Sequence, residues 1–117
     1  MPRRRFLSAK IHGATLTSLN LEYEGSISVD SALLRMAGIL PYEQIDVLNL
    51  DNGERLTTYA IPGEPGEICL NGAAAHKGKP GQRVILVTYL DLEPDEIAGH
   101  RPRVIRVDAA NRPEAAH

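Results

Sequence analysis

A small, mostly β barrel is the fold that this sequence predicts, and three observations carry it. Ten glycines and eight prolines cut the chain into short segments. Between them, apolar and polar residues mostly alternate with period two. Asn52-Gly53 lies between two such segments as a hairpin signature. The 117 residues are one domain's length, so a single unit spanning 1–117 is expected.

Taken in order, Phe6 to Thr17 reads as a strand with Ala9 and Ile11 on one face and Lys10 and His12 on the other, so the latter two address one site. Leu21, Tyr23, Gly25, Ile27 and Val29 share a face of a second strand, with Glu24, Ser26 and Ser28 opposite and Gly25 marking a bulge, turn or close approach. Asp30 to Gly38 opens with capping residue types, continues with helix formers and stops at a glycine, which predicts one short helix. Ile45–Leu50 and Arg55–Ile61 form a hairpin around Asn52-Gly53, expected as a tight type I′ turn. Pro62 to Gly66 is a loop, Ile68–Leu70 a short strand and Lys79-Pro80-Gly81 a turn. Val84–Leu90 is apolar on both faces and predicts a central strand. One helical turn fits within Pro94 to His100, a last strand covers Arg103–Val107, and a frayed tail follows.

Composition narrows the function. Thirteen Lys and Arg against fifteen Asp and Glu leave a formal net charge of −2, without the cationic field that nucleic acid demands. One phenylalanine and four tyrosines are too few for a base-stacking platform. Histidines 12, 76, 100 and 117 with the single Cys69 assemble no recognisable metal set, so no metal is expected. No phosphate-cradling glycine motif occurs, and Asp91, Glu93, Asp95 and Glu96 read as a solvated loop. Arg3-Arg4-Arg5 precedes no signal-type apolar core, and Val84 to Leu90 is far short of the roughly 20 residues of a membrane helix. A cytoplasmic protein without membrane contact is expected.

What remains is a concentration of functional residue types in β segments: Lys10 and His12, Tyr23-Glu24-Gly25-Ser26, Arg55 with Thr58 and Tyr59, and Asn71-Gly72-Ala73-Ala74-Ala75. Alone, each has an ordinary reading: Tyr59 a core aromatic, Arg55 a hairpin-flanking charge, Lys10 a solvated strand residue, Gly25-Ser26 a bulge. In this order, with Ala37-Gly38-Ile39-Leu40 and Asn52-Gly53-Glu54-Arg55 between them and His76 closing the last, the segments resemble the aspartate 1-decarboxylase family over roughly residues 4 to 107.

That resemblance implies a six-stranded double-psi β-barrel with one or two short helices, and a homotetramer with active sites between subunits. It also implies a precursor that cuts itself between Gly25 and Ser26 into a β chain, 1–25, and an α chain, 26–117. The implied activity is pyruvoyl-dependent conversion of L-aspartate to β-alanine and CO2 for pantothenate, the coenzyme A precursor. Ser26 Oγ would attack the Gly25 carbonyl, and elimination and hydrolysis would leave a covalent pyruvoyl group that forms a Schiff base with substrate. Glycine at 25 admits strained backbone geometry, and Thr58 matches the hydroxyl that bonds the oxyanion. The resemblance makes Arg55 a bidentate carboxylate clamp, Lys10 a neutralising charge and Tyr59 the proton donor. Asn71, Gly72, Ala73, Ala74 and Ala75 would bring backbone and amide N–H groups to the substrate, with His12 and Tyr23 nearby in secondary roles. Leu48 stands where some members carry tryptophan, and Glu67-Ile68-Cys69-Leu70 departs from the commoner lead into Asn-Gly. The competing readings are a non-catalytic β-barrel binding module, with Gly25-Ser26 intact, and a pyruvoyl decarboxylase of another amino acid.

Overall fold

The computed structural model describes residues 2–114. Its organising strand is β7 (Arg83–Leu92), the central strand expected from the Val84–Leu90 run, and it is paired along both edges. β1 (Arg4–Thr15) pairs antiparallel with one edge and β4 (Gln44–Asn49) antiparallel with the other. Beyond β4 come β5 (Arg55–Gly63), then β3 (Ser26–Asp30) parallel to it, then β6 (Ile68–Asn71) antiparallel to β3. Two short strands paired in parallel complete the edges: β2 (Ser18–Asn20) on β6 and β8 (Arg103–Arg106) on β1. The order is β2-β6-β3-β5-β4-β7-β1-β8. The mainly β architecture is as expected. The strand number is eight rather than six, because β2 and β8 each add a short stretch of parallel ladder outside six contiguous strands.

The core lies on one face of this curved sheet. Ala9 and Ile11 of β1, Ile27 and Val29 of β3, Ile45 and Val47 of β4, Ala60 of β5 and Val84 and Leu86 of β7 are all buried. The period-two pattern read along β1 is therefore the pattern that is packed. β1 carries two register shifts, at Ser8 and Gly13, that keep its alternation in phase with β7. α1 (Ser31–Ala37) packs Leu33, Leu34 and Ala37 onto this core. Asp30 caps it, accepting from Ala32 N at 2.8 Å, and Gly38 ends it at φ 71°. The other carboxylate oxygen of Asp30 accepts from Gly66 N at 2.8 Å, which ties the helix start to the loop before β6. The second short helix, α2 (Pro94–Ile97), is closed by a Glu93/Glu96 capping box.

Three expectations are corrected. Leu21 to Gly25 is a turn and bend rather than strand: Leu21 is 60% and Tyr23 52% exposed, and the ladder begins at Ser26. Alternation there had no face to bury, since Ser26 to Val29 are all covered, polar and apolar alike. The β4–β5 turn is not type I′, because Gly53 but not Asn52 has positive φ. Asn49 Oδ1 instead accepts from Asp51 N and Asn52 N at 2.9 and 3.2 Å, and Gly53 N donates to Asn49 O, making a wider loop. The tail is anchored through residue 114, not frayed. Asn111, 1% exposed, takes Thr15 N at 2.7 Å and gives its amide protons to Thr15 O and Gly66 O at 2.9 Å each. Residues 115–117 of that expected tail lie outside the described residues. No helix among the described residues is long and apolar enough to cross a membrane.

Candidate active site

The β3–β6 ladder builds the centre of the site. Antiparallel register sets Ser26 opposite Asn71 and Ser28 opposite Cys69, so the four side chains share one face. Asn71 Nδ2 donates to Ser26 Oγ and to Ser28 Oγ, each at 2.9 Å, and Cys69 Sγ donates to Asn71 Oδ1 at 3.3 Å. Ser26 Oγ donates back to Glu24 O at 3.3 Å. Ser26 is 0% exposed, so its hydroxyl is held between one donor and one acceptor away from water. Serine hydroxyls at i and i+2 of a strand were legible in the sequence; their meeting at one asparagine depends on register and was not.

Gly72 fixes the residues before Ser26. It adopts φ +59°, and a Cβ there would lie 2.6 Å from Tyr23 O and 2.7 Å from Gly25 N, so only glycine lets β6 pass this close to the Gly25 backbone. From Gly72 the chain turns into a 3-10 segment, Gly72–Lys77, that buries Ala74 and Ala75 and leaves Ala73 exposed. A cleft of about 300 Å³ opens beside it, lined by Gly25, Thr58, Ala73 and Ala74 with Leu56 and Lys77. Thr58 therefore shares this cleft with Gly25. Lys77, Ser28 and Cys69 join the site although the sequence reading had not placed them there.

Arg55 and Tyr59 lie on the other face of β5 from Thr58, since alternate residues of a strand point to opposite sides. The parallel β3–β5 register begins at Ile27 and Ala60, which sets Tyr59 beside Ser26 at the preceding position. Following paired residues across the sheet, Arg55 shares a row with Leu48, Ile85 and His12. Thr57, Asp46, Val87 and Lys10 make the next row. The structure thus places Ser26, Tyr59, Arg55, Lys10 and His12 on one outward face and Gly25 with Thr58 on the cleft side. Along that face Lys10 is four strand steps from Ser26, roughly 19 Å measured along the sheet. Between them is a polar hollow of about 250 Å³ lined in part by Gln44, Asp46, Val87 and Tyr89.

The surroundings tune several of these groups. Burial, reinforced by the positive charges of Arg106, Lys10 and Arg83, pushes the His12 pKa below its ordinary value despite the opposing pull of Glu114. Its Nδ1 is buried without a hydrogen-bond partner among the described residues. The Tyr59 ring lies 6.1 Å from that of Tyr42, tilted by 36°, which orders a half-buried phenol beside Ser26. Tyr23 stays in the exposed turn, contributing its carbonyl to the Gly72 contact.

Comparison with known proteins gives the family. A family model described as Aspartate decarboxylase matches residues 2–114. The chain is 58% identical over 111 residues to an aspartate 1-decarboxylase of Acaryochloris marina, covering 93% of this chain and 85% of the relative. It is 55% identical over 108 residues to one of Thioalkalivibrio sulfidiphilus, covering 91% and 86%. The corresponding enzyme of Salinibacter ruber is 51% identical over 107 residues, covering 90% and 73%. The family match and these relatives define a decarboxylase, an enzyme of the lyase class. The chain belongs to the aspartate decarboxylase family.

Proposed function

We propose that the chain cuts itself between Gly25 and Ser26 and then decarboxylates L-aspartate to β-alanine, the precursor of pantothenate. The observation that carries this reading is the wholly buried Ser26 hydroxyl, held by Asn71 next to a Gly25 that Gly72 locates and Thr58 shares a cleft with. In the cut, the Oγ–carbonyl bond of Gly25 forms, the Gly25–Ser26 amide breaks, and the proton of Oγ ends on the freed nitrogen. Thr58 supplies a hydroxyl on the Gly25 side for the oxyanion that develops there.

A pyruvoyl group derived from Ser26 fits these surroundings: position 26 is dry, an Asn71 N–H points to its oxygen, and Gly72 puts no side chain against the neighbouring Gly25 backbone. Such a group supplies a carbonyl electron sink for the electrons released as a carboxylate leaves as CO2. Tyr59, side by side with position 26 on the outward face, is placed to return a proton to the α-carbon. Arg55 grips the carboxylate that stays, four residues back on the same face of β5. Lys10 is brought to position 26 by a second copy, which makes the site one between subunits and the assembly a homotetramer in the cytoplasm.

Denaturing intact mass of the purified protein tests the reading. Two fragments, 1–25 and 26–117, with the larger lighter by one ammonia than hydrolysis alone gives, support it, together with β-alanine release from L-aspartate. A persistent uncut chain, even after prolonged warming, sinks it and leaves a binding module on the same barrel. Cleavage with turnover of another amino acid in preference to aspartate would overturn only the substrate.

A further inference from the structure

We infer that Ser28 and Cys69 are positioning residues for self-cleavage, acting through Asn71; this rests on the proposed cut at Ser26. A side-chain amide has two donors and one acceptor oxygen, and rotation by half a turn about its last bond exchanges them. Asn71 is 3% exposed, so whichever end faces Ser26 must find its partners inside the protein. In the observed orientation every polar atom of the amide is used. One N–H reaches Ser26 Oγ, the other reaches Ser28 Oγ, and Oδ1 takes the Cys69 thiol.

The turned orientation loses most of this. Oδ1 would face the two hydroxyls, one N–H would face only the weakly accepting sulfur, and the other would have no partner. Ser26 would then spend its proton on Asn71 instead of on Glu24 O, and no donor would face its oxygen. That donor matters after the first step. When the Ser26 Cα–H is removed and the Cβ–Oγ bond breaks, the electron pair of that bond leaves with Oγ as part of the Gly25 carboxylate. Water then replaces the nitrogen of the dehydrated residue, releasing ammonia. An N–H aimed at Oγ stabilises the charge it gains in the breaking step. Ser28 and Cys69 touch neither reacting bond; they decide which end of Asn71 meets Ser26.

The test is the self-cleavage rate of freshly made precursor, followed by intact mass, for Ser28→Ala, Ser28→Thr, Cys69→Ala and Cys69→Ser, with thermal melting of each in a Ser26→Ala background. The expected result is cleavage slowed about tenfold in Ser28→Ala, the order carried by one lost buried hydrogen bond, and by less in Cys69→Ala because a thiol donates weakly. Ser28→Thr, which keeps the accepting hydroxyl, and Cys69→Ser, which keeps a donor to Asn71 Oδ1, restore the rate at comparable melting temperatures. A Ser28→Ala precursor that cuts at the parent rate overturns the inference, as does a Thr or Ser variant slowed as much as its Ala counterpart. If the parent chain itself never cuts, the self-cleavage reading fails and the inference falls with it; parent cleavage with unaffected variants removes the inference alone.

Discussion

Gly72→Ala is the sharpest single perturbation of the site, because two separable costs meet there. The residue sits at φ +59°, where an L side chain costs about 1–2 kcal/mol. The new Cβ would stand 2.6 Å from Tyr23 O, 2.7 Å from Gly25 N and 2.9 Å from Gly25 Cα, all backbone atoms of one segment. Ordinary contact begins near 3.4 Å, so that segment must retreat by about 0.8 Å at Tyr23 and about 0.7 Å at Gly25. Overpacking of this kind adds about 1–3 kcal/mol. Gly53 separates the terms: it has φ +75°, and a Cβ there meets nothing within 4 Å, so Gly53→Ala carries the backbone cost alone. Urea midpoints of both variants in a Ser26→Ala background, which keeps a single uncut species, should show Gly72→Ala losing about 1–3 kcal/mol more than Gly53→Ala. With Ser26 restored, Gly72→Ala should cleave about 10–100-fold more slowly, since displacing one reacting atom by a fraction of an ångström forfeits alignment. Equal stability losses in the two variants, or cleavage of Gly72→Ala at the parent rate, would refute the argument that this crossing locates Gly25.

Opposite faces of β5 should give opposite phenotypes. Thr58→Val slows cleavage by about 10²-fold, the order of one lost oxyanion donor, as read by intact mass. Tyr59→Phe cleaves normally but loses about 10²–10⁴-fold in kcat, measured as β-alanine formed from aspartate. Asn111→Ala should cost about 2–4 kcal/mol in urea unfolding, since it strands Thr15 N–H and two carbonyls. Asn111→Gly should cost about 1 kcal/mol less, because φ at this position is +61°. The pKa of His12 is lowered in the folded protein by burial and the surrounding positive charges, so the unfolded chain binds its proton first as pH falls. Its contribution to stability is therefore present above the unfolded value, 6.5, and is lost as pH drops below it. The difference in urea midpoint between about pH 7.5 and about pH 5.5 should shrink in His12→Gln.

Local chemistry made much of the fold legible. Asp30 and Gly38 bracket α1 because a carboxylate and a left-handed glycine are the groups a helix end lacks. β7 reads as central because its Val84–Leu90 run is apolar, and the hairpin's existence follows from the two alternating segments around Asn52-Gly53. Its turn type did not follow, since Asn49, outside the dipeptide, satisfies the loop amides. Leu21 and Tyr23 continue the alternation of β3 with nothing to pack against, and a pattern does not say where its partner strand ends. For the tail, one buried asparagine outweighs a polar, proline-containing composition. The residue types of the site were legible, but not their grouping. Ser26 meets Asn71 across 45 residues, and Thr58 parts from Tyr59 by the pleat of a single strand, so both facts belong to register.

The position of β1 has a consequence for how such a molecule holds together. Residues before Gly25 do not form a detachable leader: β1 pairs with β7 from Arg4 to Thr15 and with β8 from Ala9 to His12, and β2 lies along β6. On the proposed cut, the uncut chain folds as one connected string, whereas the cut protein is two interleaved strings with no bond between them. Unfolding the uncut form leaves its parts tethered and able to return. Unfolding the cut form lets the short string drift away, and recovery then needs a collision between two different molecules at their prevailing dilution. The cut therefore turns a reversible object into one assembled once and afterwards preserved by the slowness of its coming apart.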